Sequence, residues 1–216
     1  MEPKFRKTAA LCLLIGALLA TITMILHPSG GSMEHINHIE SVIIFSHALA
    51  IFCLPFVGFG SWGLSVLLQT PGRVSILSFF VFCSGLIAAM IAASINGLVL
   101  PYFVERYYNS GVDETLLKAI IGYGRYINAS MDYIFISACA FAVGIWSVII
   151  VMKAQLPKWI GYYGFIIIIF GLIGIFTNFN FISVYGFRIF IFGLVSWLIL
   201  VGIMMLWAKS INQISN

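Results

Sequence analysis

Three polar residues, Arg125, Asn128 and Asp132, recur at spacings of three and four in an otherwise apolar stretch, which sets all three on one face of a helix. A carboxylate carried into hydrocarbon must find a partner or take up a proton, so any site has to be organised around Asp132. Arg125 stands two turns away, roughly 10 Å by helical rise, which leaves Arg188 or His47 of other segments as better-placed partners. The stripe is thus either a helix-to-helix salt bridge that fixes packing or a binding or catalytic site. In a catalytic site Asp132 and His47 are the candidates, because carboxylates and imidazoles are the usual proton carriers of enzymes.

The four histidines form a second group: His27, then His35 and His38 in the run EHINHIE, then His47. His35 and His38 share a face if the run is helical, with Glu34 and Glu40 close by, so a metal held by nitrogen and oxygen ligands is the chemistry to test there. No HExxH or other ligand motif accompanies them, and a solvated loop with interfacial histidines accounts for them equally. No metal site is assigned. His27 and His47, near one boundary of adjacent segments, also bring a haem to mind, although two lone histidines carry little specificity.

These residues have to be positioned by membrane helices. Of 216 residues, 62% are hydrophobic and 8% charged, with mean hydropathy +1.08, where a soluble domain carries roughly a quarter of its residues as charge. Apolar runs between breakers predict an all-α, polytopic bundle of about six transmembrane helices in a single domain, with spans near 8–27, 41–68, 75–100, 124–152, 159–178 and 186–208. The breakers are HPSGGS, QTPGR, the polar stretch from Pro101 to Lys118, KAQLPK and NFNFISVYG. The runs are continuously apolar rather than alternating, which excludes barrel strands. Glu114 to Tyr123 is expected to lie partly at the interface as an amphipathic lead-in to the fourth span.

Counting Lys and Arg by side orients the bundle. Lys4, Arg6, Lys7, Arg73, Lys153, Lys158 and Lys209 fall on one side, and Arg106, Lys118, Arg125 and Arg188 on the other. Both termini are then cytoplasmic. Tyr102, Tyr107, Tyr108, Tyr123, Tyr126 and Tyr185 would mark the outer interface, and Trp159, Tyr162, Tyr163 and Trp207 the inner one. The net charge of +4 is scattered singly rather than gathered into a patch, which excludes nucleic acid as a partner. Membrane lipids are the expected partners, and a homo-oligomer is compatible with the sequence. Cys12, Cys53, Cys83 and Cys139 sit in separate apolar runs and read as small core hydrophobes.

Intramembrane polar residues are functional candidates by default, and in this topology His27, His47, Asn96, Arg125, Asn128, Asp132, Asn178 and Arg188 all fall at outer helix ends. An outward-facing pocket lined by His47, Asn96, Arg125, Asn128, Asp132, Asn178 and Arg188 is therefore expected. The other half offers only hydroxyls, Ser61, Ser65, Ser75 and Ser78, which can bond back to their own preceding turn. Pro55 is expected to kink the second span, freeing the Ile51 carbonyl and opening space beneath His47. Glycines at 58, 60, 63, 161, 164, 171 and 174, and alanines at 88, 89, 92 and 93, read first as helix contacts.

An early His27-Pro28, a histidine opening the second span (His47), an asparagine stripe opening the fourth (Asn128) and the turn Leu156-Pro157-x-Trp159-x-Gly161 together resemble a large group of bacterial membrane proteins catalogued as domains of unknown function. The resemblance covers about residues 8–208. It implies the architecture and a bacterial inner-membrane setting and assigns no site residue and no cofactor.

No nucleophile elbow, P-loop or Rossmann glycine pattern is present. The leading functional expectation is a protein that binds or senses a small amphiphile or lipid headgroup, with Arg125 and Arg188 facing an anionic group. The alternative is an intramembrane enzyme acting on a lipid-like substrate through Asp132 and His47. A small transporter is the third reading, which the apolar inner half disfavours.

Overall fold

A computed structural model of the chain describes residues 1–69, 73–153 and 155–208. Lys209, counted above with the cytoplasmic cations, lies outside the described residues, as do Thr70, Pro71 and Gly72 of one breaker and Ala154 of another. The described residues form helices α1 (Pro3–Leu26), α2 (Met33–His38), α3 (Glu40–Leu67), α4 (Val74–Ser94), a π turn (Ile95–Val99), α5 (Leu100–Tyr107), α6 (Glu114–Lys153), α7 (Lys158–Phe176) and α8 (Val184–Trp207). Six helical segments are long and apolar enough to cross a membrane. The chain is a polytopic membrane helix bundle, and an even number of spans returns α8 to the end of the bundle where α1 began.

The outside of the bundle is apolar. Leu11, Leu18 and Ile25 on α1, and Phe45, Phe52 and Phe59 on α3, recur every seventh residue and are exposed, from 42% for Phe59 to 66% for Ile25. Such stripes would be a liability in water and are what lipid requires. Inside, α1 lies between α3 and α8, α4 bridges α3 and α6, and α7 packs on the periphery against α6 and α8. The α1–α3 contact is close because small residues face it: a Cβ on Gly60 would stand 2.6 Å from the Cβ of Leu13, and one on Gly63 would overlap that of Ala9.

The half of the bundle containing the first turns of α1 is held by polar contacts between helices. Trp146 Nε1 donates to Ser65 Oγ at 3.1 Å, Ser75 Oγ donates to the Ser65 carbonyl at 2.9 Å, and Ser78 Oγ donates to the Ala142 carbonyl at 2.8 Å. The expectation that these serines bond back within their own helices is not met: Ser75 and Ser78 reach carbonyls of neighbouring helices, Ser65 accepts from Trp146, and the buried Ser61 hydroxyl has no partner among the described residues. Trp146 and Trp197 stack at 6.1 Å between ring centroids, both fully buried, and close the centre of that half.

One proline expectation changes. α3 runs through Pro55 as one helical segment. Pro101, expected to end the third span, instead opens α5, and the helical run continues from Val74 to Tyr107. Proline has no N–H for the carbonyl of Gly97 four residues back and its ring crowds that carbonyl. The backbone answers by widening to π spacing, with the Leu100 N–H donating to the Ile95 carbonyl.

α6 is 40 residues long, about 60 Å at 1.5 Å per residue, twice the roughly 30 Å hydrocarbon core. Its lead-in buries Leu117 and Ile121, one turn apart, while Glu114 and Lys118 stay exposed and pair at 2.8 Å. Ile121 joins Ile36 of α2, Ile43 of α3 and Val104 of α5 in a small apolar cluster separate from the main core. This cluster ties α2 and α5 to the bundle at the end where Asp132 and the histidines lie.

Replacing Gly60 with leucine should force α1 and α3 apart and lower stability by about 1–3 kcal/mol, the usual cost of overpacking. Gly171, with no atom within 4 Å of a Cβ built on it, should accept leucine with an unchanged thermal melt in detergent.

Candidate functional site

A cavity of about 200 Å3 lies within the bundle, with walls from α1, α3, α4, the π turn, α6 and α8. The described spans other than α7 all contribute, which makes the cavity the meeting point of the architecture. Its polar residues are Thr23, His27, His47, Asn96, Asn128 and Asp132, and the rest of its wall is largely aliphatic and aromatic. On α8 the wall runs from Val184 to Leu198, roughly 21 Å along the axis at 1.5 Å per residue. On α3 it runs from His47 past Pro55 to Val57, so the space beneath His47 exists along an unbroken helix.

His47 is buried and held from two sides. Its Nδ1 lies 2.8 Å from the Ile43 carbonyl one turn back in α3. Its ring rests on Gly97 of the π turn, where any Cβ would overlap the Cβ and Cγ of the histidine. The same π turn carries Asn96 in the cavity wall. Pro101, through the π turn it induces, therefore shapes the seat of His47.

His27 follows the last turn of α1, and its Nδ1 lies 3.0 Å from the Pro28 carbonyl. Its ring centroid is 4.7 Å from that of His47, with the planes inclined by 52°. Each Nδ1 faces a carbonyl, which can only accept, so each ring carries its hydrogen there and a neutral ring leaves a lone pair on Nε2. Burial chiefly, with His47 beside it, lowers the His27 pKa from its ordinary 6.5 to about 4. Rings this close leave no room for a haem between them, which corrects that idea. His27 was not among the residues expected to line the pocket. Its signal was present in the sequence: a histidine at the same helix end as His47.

Asp132 is 9% exposed, and its Oδ2 accepts a hydrogen bond of 2.7 Å from Asn128 Nδ2, one turn earlier on α6. The expected ionic partners are not used, because a neutral amide on the same face is nearer than any guanidinium. Arg188 Nη2 instead donates to the His27 carbonyl at 2.6 Å. That carbonyl caps the C-terminal end of α1, where a cation offsets both the unpaired acceptor and the helix dipole. Arg125 is exposed and its Nη2 reaches the Gly31 carbonyl at 3.3 Å. The two arginines thus grip opposite ends of the loop between α1 and α2.

Of the seven residues expected to line one pocket, the structure brings His47, Asn96, Asn128 and Asp132 to the cavity. Arg125, Arg188 and Asn178 stand outside its wall. Asn178 is exposed, with φ of 56°. Its N–H donates to the Ile175 carbonyl at 3.1 Å and that of Phe179 to the Gly174 carbonyl at 2.8 Å, the left-handed cap that ends α7. Asparagine tolerates that conformation, and this explains its presence without a ligand. His35 and His38 are exposed on α2, and among the described residues no three His, Cys, Asp or Glu side chains converge as a metal site. Cys53 and Cys139 are buried, Cys12 and Cys83 half-buried, and all four are free thiols.

Comparison of the chain with protein-family models, curated proteins and solved structures finds no match.

Because the unfolded chain takes up a proton on His27 near pH 6.5 while the folded protein holds the ring neutral down to about 4, acid favours the unfolded state across that window. Thermal stability should therefore fall as pH drops from about 6.5 toward 4, and His27→Asn should flatten this decline in a melt series. Gly97→Ala should displace His47 and lower the melting temperature more than Gly124→Ala, where the nearest atom stands 3.9 Å from a Cβ.

Proposed function

We propose that this membrane protein binds a single-chain amphiphile, with the polar head among His27, His47, Asn96, Asn128 and Asp132 and the chain in the apolar slot between α3, α4 and α8. The observation that carries this reading is the shape and polarity of the cavity: polar at one end, aliphatic for most of its length, and long rather than round. At about 200 Å3 it exceeds the roughly 150 Å3 of an engineered apolar cavity that stays dry and takes up benzene. It also falls below the roughly 300 Å3 at which pockets for larger ligands begin. A narrow, extended occupant fits those limits better than a bulky headgroup.

The closed far half supports a pocket rather than a conduit. Trp146, Trp197, Leu64 and Leu198 are buried there with 0–2% exposure, and Ser65, Ser75 and Ser78 hold helices together. The excess of Lys and Arg on the side bearing both termini supports a head-binding end facing away from the cytoplasm. The resemblance noted above supports a bacterial inner membrane. Binding or sensing is the activity this reading assigns.

A second reading, an intramembrane enzyme that cleaves or rearranges such an amphiphile, draws on one specific observation: His47 and Asp132, the two candidate proton carriers, line the same cavity. Turnover of a bound ester or amide that is lost in both His47→Gln and Asp132→Asn would favour it over binding alone.

Ala89 lines the slot away from the polar end. Ala89→Phe should fill it and remove copurifying amphiphile from native mass spectra of the purified protein, while Gly171→Phe on α7, outside this cavity's wall, should leave occupancy unchanged. Equal occupancy in the wild type and Ala89→Phe would contradict the proposal.

A further inference from the structure

The polar end of the cavity has a definite hydrogen-bonding sense, which bears on the chemistry of the head. This step rests on the amphiphile-binding reading above. Pro28 and Ile43 supply carbonyls at 3.0 and 2.8 Å to the Nδ1 atoms of His27 and His47, so each neutral ring can present to a ligand only an Nε2 lone pair. The two rings lie 4.7 Å apart, and Arg188 already places its charge on the backbone carbonyl of His27. Asp132 adds a carboxyl group, one oxygen of which is taken by Asn128.

Among the described residues no Lys or Arg lines the cavity. Arg125 and Arg188 donate to main-chain carbonyls of the α1–α2 loop. A phosphate or carboxylate head would therefore meet two imidazole lone pairs and a carboxyl group, with only the spare amide hydrogens of Asn96 and Asn128 and the Thr23 hydroxyl to receive it. A head rich in O–H or N–H donors meets acceptors at every turn. Thr23 calls for a polar group of either sense: it is 4% exposed, lines the same cavity, and its hydroxyl, which can donate or accept, has no partner among the described residues. A buried hydroxyl without a partner is costly in hydrocarbon and calls for a polar group from the occupant.

We infer that the ligand is a single-chain amphiphile whose head is uncharged or cationic and donates hydrogen bonds, a hydroxylated or amino head rather than a phosphate or carboxylate, received by the Nε2 atoms of His27 and His47. This replaces the expectation from sequence that Arg125 and Arg188 face an anionic group. The arginines shape the loop over the site, and the histidines read the head.

The test uses the full chain in nanodiscs and four probes of one chain length: a 1-monoacylglycerol, its dimethyl ether, an alkylamine and a fatty acid. The monoacylglycerol or the amine should bind more tightly than the ether and the acid by about ten- to a hundredfold, the factor carried by a buried polar group left unpaired. Which of the two binds more tightly identifies a hydroxyl or an amino source. His47→Phe should erase the preference for monoacylglycerol over its ether while still retaining a chain. If that variant fails to fold, His27→Phe, at the half-buried ring, gives the same readout. Equal binding of all four probes, or tighter binding of the acid, would overturn the inference about the head and leave the pocket intact. If no probe binds, or if Ala89→Phe fails to abolish binding, the pocket reading falls first and the inference with it.

Discussion

Hydrocarbon offers polar groups nothing, and that constraint organises this protein. Around the cavity the buried carboxylate and both imidazoles are answered from within the chain, and the solutions used are short and local. Asp132 is answered by Asn128 on its own helix, His47 by the carbonyl of Ile43 and His27 by that of Pro28. These pairings commit the inner atoms of each side chain and leave the outer ones for the cavity. A set of residues that looked ionic in sequence is held by hydrogen bonds rather than by ion pairs.

The arginines show the same economy. Placed near a carboxylate in sequence, they would be expected to pair with it, yet a carboxylate with a nearby amide has less need of a distant guanidinium. Arg188 meets the carbonyl that ends α1 and Arg125 the Gly31 carbonyl, and between them they hold the α1–α2 loop across the end of the bundle. At the opposite end Trp146, Ser65, Ser75 and Ser78 satisfy one another or a neighbouring backbone. The result is a bundle sealed at one end and hollow towards the other.

The helical spans were legible because hydrophobic length is a one-dimensional property, and their ends could be placed from breakers such as HPSGGS. Four of the cavity's six polar residues were legible for the same reason: His47, Asn96, Asn128 and Asp132 lie near one depth. What each arginine would bond was not: Arg125 shares the face of Asn128 and Asp132 but stands two turns further along, where it takes the Gly31 carbonyl, and Arg188 takes that of His27. Asn178 misled because a helix cap and a ligand draw on the same residue type. Pro101 misled because a proline ends a helix only when the backbone cannot re-register, and here a π turn supplies the alternative. Ala88 and Ala92 are buried in helix packing while Ala89 and Ala93 are half-buried, yet Ala92 also lines the cavity with Ala89 and Ala93. Composition alone could not have sorted that stripe.

Convergence of the two imidazoles is the point at which the whole account is most exposed. Solid-state NMR of the 15N-histidine-labelled protein in bilayers reports both the ring nitrogen that carries hydrogen and the contacts between rings. Two of the four histidines should show protonated Nδ1 with bare Nε2 at neutral pH, and those two should be correlated through space as His27 and His47. Rings protonated at Nε2, or a His27 and His47 with no mutual contact, would mean that the polar side chains do not gather around a common cavity, and the binding site would have to be abandoned.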